Sequence, residues 1–309
     1  MKLSSHLNFS AFLIIVFTGC SQTSKLKAPN DYLINPPNCV KINDALYCDK
    51  SEVANIDWRA YMAWTKVVFG ENSHEHKATF PDQSVWNEKD TCLNRYFELY
   101  LWHPSYDYYP VVGITQIQVM DYSKWRSDRV FEMILIKYGK LKVNPGQTRE
   151  MHFTIERYFK GEYFDIKPDP NFQYFPNFRL PTLEERSIIL KYADSVDKAY
   201  FDNCNSKFCK ECKVNYPKFS CDILPCSKYL EDIDITKNTY WGCTSKKDGG
   251  IYNLRGNVSE WTSENEICVG GGWTDSRDSI LKNDTFRLET RNAWTGFRNI
   301  CEWKIYKVE

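Results

Sequence analysis

The residues of this 309-residue chain best placed to do chemistry lie between Gly249 and Trp261, in Gly-Gly-Ile-Tyr-Asn-Leu-Arg-Gly-Asn-Val-Ser-Glu-Trp. Oxygens crowd there: the Asn253 side chain, the carbonyls of Gly256 and Val258, and the Glu260 carboxylate. A hard cation such as calcium takes about six to eight oxygens, and carbonyls in a tight turn are suitable donors. The competing reading is that Asn253 and Glu260 hydrogen-bond the loop's own amides, since one carboxylate makes a weak calcium site. His74 and His76 stand two apart, a spacing commoner on surfaces than in metal sites. No Gly-x-Ser-x-Gly elbow is present to suggest a serine nucleophile.

The elements that must position this stretch are legible from spacing. Gly249 and Gly250 open it, Gly256 permits a turn a side chain would hinder, and Asn257 tolerates the same left-handed region. Tyr252, Leu254, Val258 and Trp261 anchor it in a core. Asn55 is suited to cap a helix that Gly70 stops, with Trp58, Tyr61, Met62, Thr65, Val68 and Phe69 on one face. Val111 to Ile114 reads as a buried strand. Thr115 and Gln118 form a capping box for a helix to about Val130, with Val119, Tyr122, Trp125 and Arg129 on one face. Residues 131–178 read as an insertion of strands and loops. Thr182 and Glu185 cap a further helix whose core face is Leu183, Ile188, Ile189, Tyr192 and Ala193.

Composition narrows the function. Forty basic residues balance forty acidic ones, which argues against a nucleic-acid partner or a general anionic surface. Aromatic residues reach 16%, enough to build a core from rings in place of aliphatic side chains. Lys2 precedes an apolar run, Phe9 to Phe17, too short to span a bilayer and ending in Phe17-Thr18-Gly19-Cys20. This resembles a bacterial lipoprotein signal: residues 1–19 removed, Cys20 lipidated, 20–37 a tether, and 38–309 the folded domain. The cell envelope is the expected location, with the lipid as membrane anchor. Twelve cysteines leave eleven after Cys20, and an oxidising compartment favours disulfides among them. Cys39 and Cys48 bracket a hairpin that a bridge could staple. Cys204, Cys209, Cys212, Cys221, Cys226 and Cys243 make 201–243 a disulfide-knotted insertion rather than an iron–sulfur or zinc site, since no histidine lies there.

Tyr252-Asn-Leu-Arg-Gly-Asn-Val-Ser-Glu-Trp261, Gly270-Gly-Gly-Trp273 and Gly296-Phe-Arg298 together resemble the C-terminal half of the formylglycine-generating-enzyme, or sulfatase-modifying factor, family. Glu52-Val-Ala-Asn55, Tyr109-Pro-Val-Val-Gly113 and Phe178-Arg-Leu-Pro-Thr182 agree with it in order. The resemblance implies an irregular α+β fold, C-type-lectin-like, with little regular secondary structure. It also implies calcium at the positions of Asn253, Gly256, Val258 and Glu260. Family enzymes hold copper on two cysteines after the glycine block, but Asp275 and Ile280 stand at those positions, so copper is not expected. Cys268 reads as bridged, with Cys301 a candidate partner. A second branch uses iron on His-x3-His-x-Glu, a spacing that His6, His74, His76, His103 and His152 do not form. The leading expectation is a non-catalytic envelope lipoprotein using the scaffold for protein binding or assembly among envelope proteins. The stretches Glu52-Val-Ala-Asn-Ile-Asp-Trp-Arg-Ala-Tyr-Met-Ala-Trp64 and Tyr109-Pro-Val-Val-Gly113 resemble lipoproteins of gliding motility and type IX secretion. The alternatives are an enzyme of this fold acting through other residues, such as a thiol oxidase using the odd cysteine, and a lectin-like receptor for peptides or sugars.

Overall fold

Residues 32–87, 92–203, 236–240, 249–275, 280, 285–288 and 290–307 are described by the computed structural model. Cys20 and the cysteines of 201–243 fall outside them. The helices are α1 (Asn55–Phe69), α2 (His74–Lys77), α3 (Tyr96–Leu99), α4 (Gln116–Lys137), α5 (Ile155–Phe159) and α6 (Leu183–Asn203). The strands are β1 (Cys39–Lys41), β2 (Tyr47–Asp49), β3 (Tyr174–Arg179), β4 (Ser259–Trp261), β5 (Ile267–Val269), β6 (Phe286–Arg287), β7 (Thr295–Gly296) and β8 (Ile300–Ile305). One sheet has the order β1-β2-β8-β3 and the other β6-β5-β4-β7. All pairings are antiparallel except β4 with β7. The fold is α+β, as the sequence implied. Among the described residues no helix is long and apolar enough to cross a membrane.

Local signals in the sequence set three of the helix ends. Thr115 Oγ1 accepts from Gln118 N while Gln118 Oε1 accepts from Thr115 N at 2.9 Å, closing the capping box of α4. The Thr182–Glu185 box closes the same way. Gly70 ends α1 at φ +95°. The face of α1 is buried as the spacing requires, and Trp58, Tyr61, Tyr122 and Phe297 interlock as stacked and edge-on rings. The aromatic excess therefore goes largely into core.

Four expectations need correction. Asn55 does not cap α1; Ala54 holds that position, and the buried Asn55 amide donates to the Tyr100 and Tyr106 carbonyls. Val111 to Ile114 is buried but makes no sheet, because its amides serve scattered acceptors: Val111 N bonds Val53 O and Gly113 N bonds Asn292 O. Residues 131–178 are not only strands and loops: α4 runs past Val130 to Lys137 because Phe131, Ile134 and Leu135 continue its buried face, and α5 is helical. Their aromatics Phe131, Phe153 and Tyr158 form one core cluster, and β3 pairs with β8 over six residues. On α6 the buried stripe is Arg186, Ile189, Leu190 and Ala193, while Ile188 is 39% exposed. A charge at position 186 hid the true i, i+3, i+4, i+7 stripe.

The cysteine pairings also differ. Cys39, Cys48, Cys268 and Cys301 are all free and buried. In the β1–β2 hairpin Val40, not Cys39, faces Cys48. Side chains alternate along a strand, so the two thiols lie on opposite faces of the sheet. Accordingly Cys39 joins the cluster around Phe131, and Cys48 joins the one around Ile189. Cys268 and Cys301 likewise belong to different clusters.

Candidate functional site

The loop 249–261 folds as its residue types require. Asn253, Gly256 and Asn257 all adopt left-handed backbone, at φ +51°, +79° and +64°. Asparagine and glycine tolerate that region where branched side chains do not. Gly256 N donates to Gly270 O at 2.9 Å, tying the loop to the glycine block. Val258 is buried, and β4 follows it into the second sheet.

The polar groups of the loop meet a closed set of charges. Glu260 is 1% exposed. Its Oε1 accepts from Arg298 Nε at 2.7 Å and lies 2.6 Å from Nη2 of the same guanidinium. Its Oε2 lies 2.9 Å from Arg186 Nη1 on α6. That N–H is poorly aligned for a hydrogen bond, but the distance of the ion pair carries the attraction, since coulombic energy depends little on angle. Arg298 also donates to the carbonyls of Tyr252 and Asp49, at 2.8 and 3.2 Å. Arg186 Nη2 donates to Leu254 O. Glu52 completes the group, 4.0 Å from Arg298 and fully buried. Its carboxylate accepts from Asn257 Nδ2 at 2.8 Å and Asn253 Nδ2 at 3.2 Å. The Asn253 amide and the Glu260 carboxylate therefore do not serve the loop's own amides, the competing reading from sequence; Asn253 and Asn257 both reach across the fold to Glu52.

This arrangement bears on calcium. A divalent ion set against Glu260 would meet two guanidiniums already paired with it. Glu260, the one carboxylate among the expected ligands, as folded does not fit a hard cation, which requires oxygens free of competing positive charge. Among the described residues no group of three His, Cys, Asp or Glu side chains is disposed to hold a metal. His76 is buried beside Thr65, with Nδ1 3.2 Å from its hydroxyl.

Burial raises the Glu52 carboxyl to about 8, with Arg298 opposing and Glu260 reinforcing the shift. A carboxyl raised in the folded state binds its proton more tightly there than in the unfolded chain. Its contribution to stability is therefore lost as pH climbs from its ordinary value near 4.5 to about 8. Denaturant titrations at pH 5 and pH 8.5 are expected to show a larger loss for the native protein than for Glu52→Gln. Equal losses would show that Glu52 carries no such linkage.

The positions matching the family's copper cysteines come together around Gly271. A Cβ on Gly271 would lie 2.8 Å from Ile280 Cγ1 and 3.4 Å from Asp275 Oδ2, so both side chains face one glycine, itself at φ +66°. Asp275 Oδ2 accepts from Gly272 N at 2.6 Å, and Ile280 is buried. Copper(I) needs soft thiolates, so an acid and an alkyl side chain do not fit it. Burial holds the thiol of Cys268 far above its ordinary range, which makes it a poor nucleophile.

A family model described as sulfatase-modifying factor enzyme 1-like domain matches residues 13–303. The chain belongs to this family. Three solved structures are similar to it. The crystal structure of CarF shares 16% identity at TM-score 0.42, covering 83% of this chain and 86% of that one. Treponema denticola variable protein 1 shares 15% at TM-score 0.39, covering 83% and 84%. PvdO from Pseudomonas aeruginosa shares 13% at TM-score 0.41, covering 83% and 80%. No curated protein matches the sequence. Within the family's loop, sequence reasoning found Glu260 but missed Arg186. The one available signal was a charged residue at core spacing on α6.

Proposed function

We propose that this chain is a non-catalytic member of its family, an envelope lipoprotein that uses the scaffold to bind or assemble with other envelope proteins. The observation that carries the reading is the Asp275–Ile280 pair facing Gly271, where family enzymes place two thiolates. The lipoprotein-like N-terminus ending at Cys20 supports an anchored location, and the resemblance to gliding and type IX secretion lipoproteins suggests the assembly.

The reading has a direct test. A peptide substrate carrying the target cysteine is expected to yield no aldehyde when incubated with the protein and copper. The thiols of Cys39, Cys48, Cys268 and Cys301 are expected to react with a disulfide reagent only after denaturation, because all four are buried. Crosslinking in the envelope should recover a stable complex, and Cys20→Ser should release the protein from the membrane fraction. Aldehyde formation, or one fast-reacting thiol among those four, would favour an enzyme; unchanged membrane retention would remove the anchor.

A further inference from the structure

We propose that this member of the family folds its 249–261 loop without metal, Arg186 supplying, beside the Arg298 of the family's Gly-Phe-Arg block, the positive charge that a divalent ion would bring to Glu260. The inference is independent of the assembly role and rests on which groups the two guanidiniums hold. A hard cation in such a loop gathers a carboxylate and backbone carbonyls into one cluster. Here the arginines gather the Glu260 carboxylate, the one group shared with the expected ligand set, and tie it to the neighbouring carbonyls of Tyr252 and Leu254 in place of those of Gly256 and Val258.

Charge balance points the same way. With Glu52 ionised, two guanidiniums and two carboxylates sum to zero; with Glu52 protonated, the cluster carries one positive charge. Every member is 1% exposed or less. Adding a divalent ion would leave two or three uncompensated positive charges away from water, which is strongly unfavourable. The arginines are also tethered: Arg186 by α6, and Arg298 by the turn between β7 and β8. They thus couple the loop to two other elements, a link that a free ion makes only while it is bound.

The test uses the native protein, stripped of divalent ions with a chelator and then supplied with calcium chloride. Its melting temperature is expected to stay within about 1 °C throughout, and equilibrium dialysis should find no stoichiometric calcium, since an ion bound only by the folded state would stabilise it by mass action. Stoichiometric calcium, with a fall of more than about 5 °C on chelation that calcium reverses, would overturn the proposal. Arg186→Met provides a second readout. It should lower the melting temperature, and a variant melting with the native protein would overturn the proposal equally.

Discussion

Replacing Glu260 with alanine is expected to destabilise the protein by about 3–5 kcal/mol, the range for removing one partner of a buried ion pair. The reason is the company the carboxylate keeps. Arg298 is fully buried and Arg186 is 1% exposed, so neither can turn to water when its partner disappears. Glu52, 4.0 Å from Arg298, is pushed towards the protonated form by burial and makes a poor substitute. Glu260→Gln should lose less, because an amide oxygen can still accept from Arg298 Nε. Urea titration of the three proteins at pH 7 measures the order native, Gln, Ala. An alanine variant within about 1 kcal/mol of the native protein would mean that the guanidiniums are solvated or paired elsewhere.

The second large effect is expected at the Asp49 side chain of β2, whose backbone carbonyl Arg298 holds. Arg126 on α4 binds Asp49 in a fork, Nη1 to Oδ2 at 2.6 Å and Nη2 to Oδ1 at 2.7 Å. The Asp49 carboxylate also accepts from Asn299 N at 2.9 Å and from the Cys39 thiol at 3.3 Å. The guanidinium lies over the Phe178 ring, 4.1 Å from its centroid, so one side chain joins α4, β2 and β3. Arg126→Met keeps much of the apolar stem but strands a carboxylate that is 1% exposed. The expected loss is about 3 kcal/mol, the low end for a broken buried pair, because the arginine side chain keeps 11% exposure and some water can follow. Arg126→Met combined with Asp49→Asn should recover part of that loss. The double-mutant cycle then isolates the coupling, which is expected to exceed 1 kcal/mol in a buried contact of this kind. Simple additivity would assign the loss to packing on Phe178 instead.

Both predictions concern charged groups whose partners are far away in the chain, and this separates what was legible from what was not. The capping boxes at Thr115 and Thr182, the stop at Gly70 and the left-handed turn at Gly256 and Asn257 follow from rules that act within a few residues. So does the aromatic face of α1. The family resemblance, resting on short blocks in order, agrees with a match over residues 13–303. It also marked Asp275 and Ile280, which the fold then brought together beside Gly271.

Sequence spacing misled where an element's surroundings overrode its local pattern. Val111 to Ile114 looks like a strand because it is apolar, yet its hydrogen bonds go to three separate segments. Cys39 and Cys48 look like a staple because they flank a hairpin, yet strand alternation turns them to opposite faces. On α6, Arg186 does not look like a core residue, because a charge on a core face usually contradicts burial.

The sequence by itself determined the class of fold, the starts of α4 and α6, the stop of α1, the aromatic character of its core and the absence of cysteine at positions 275 and 280. Each is written in residue types and short spacings. Only the tertiary structure decided where Glu260 spends its charge, since Arg186, Arg298 and Glu52 come from three distant parts of the chain. A buried carboxylate is satisfied by whatever positive group the fold brings within about 3 Å, and no local rule announces which group that will be.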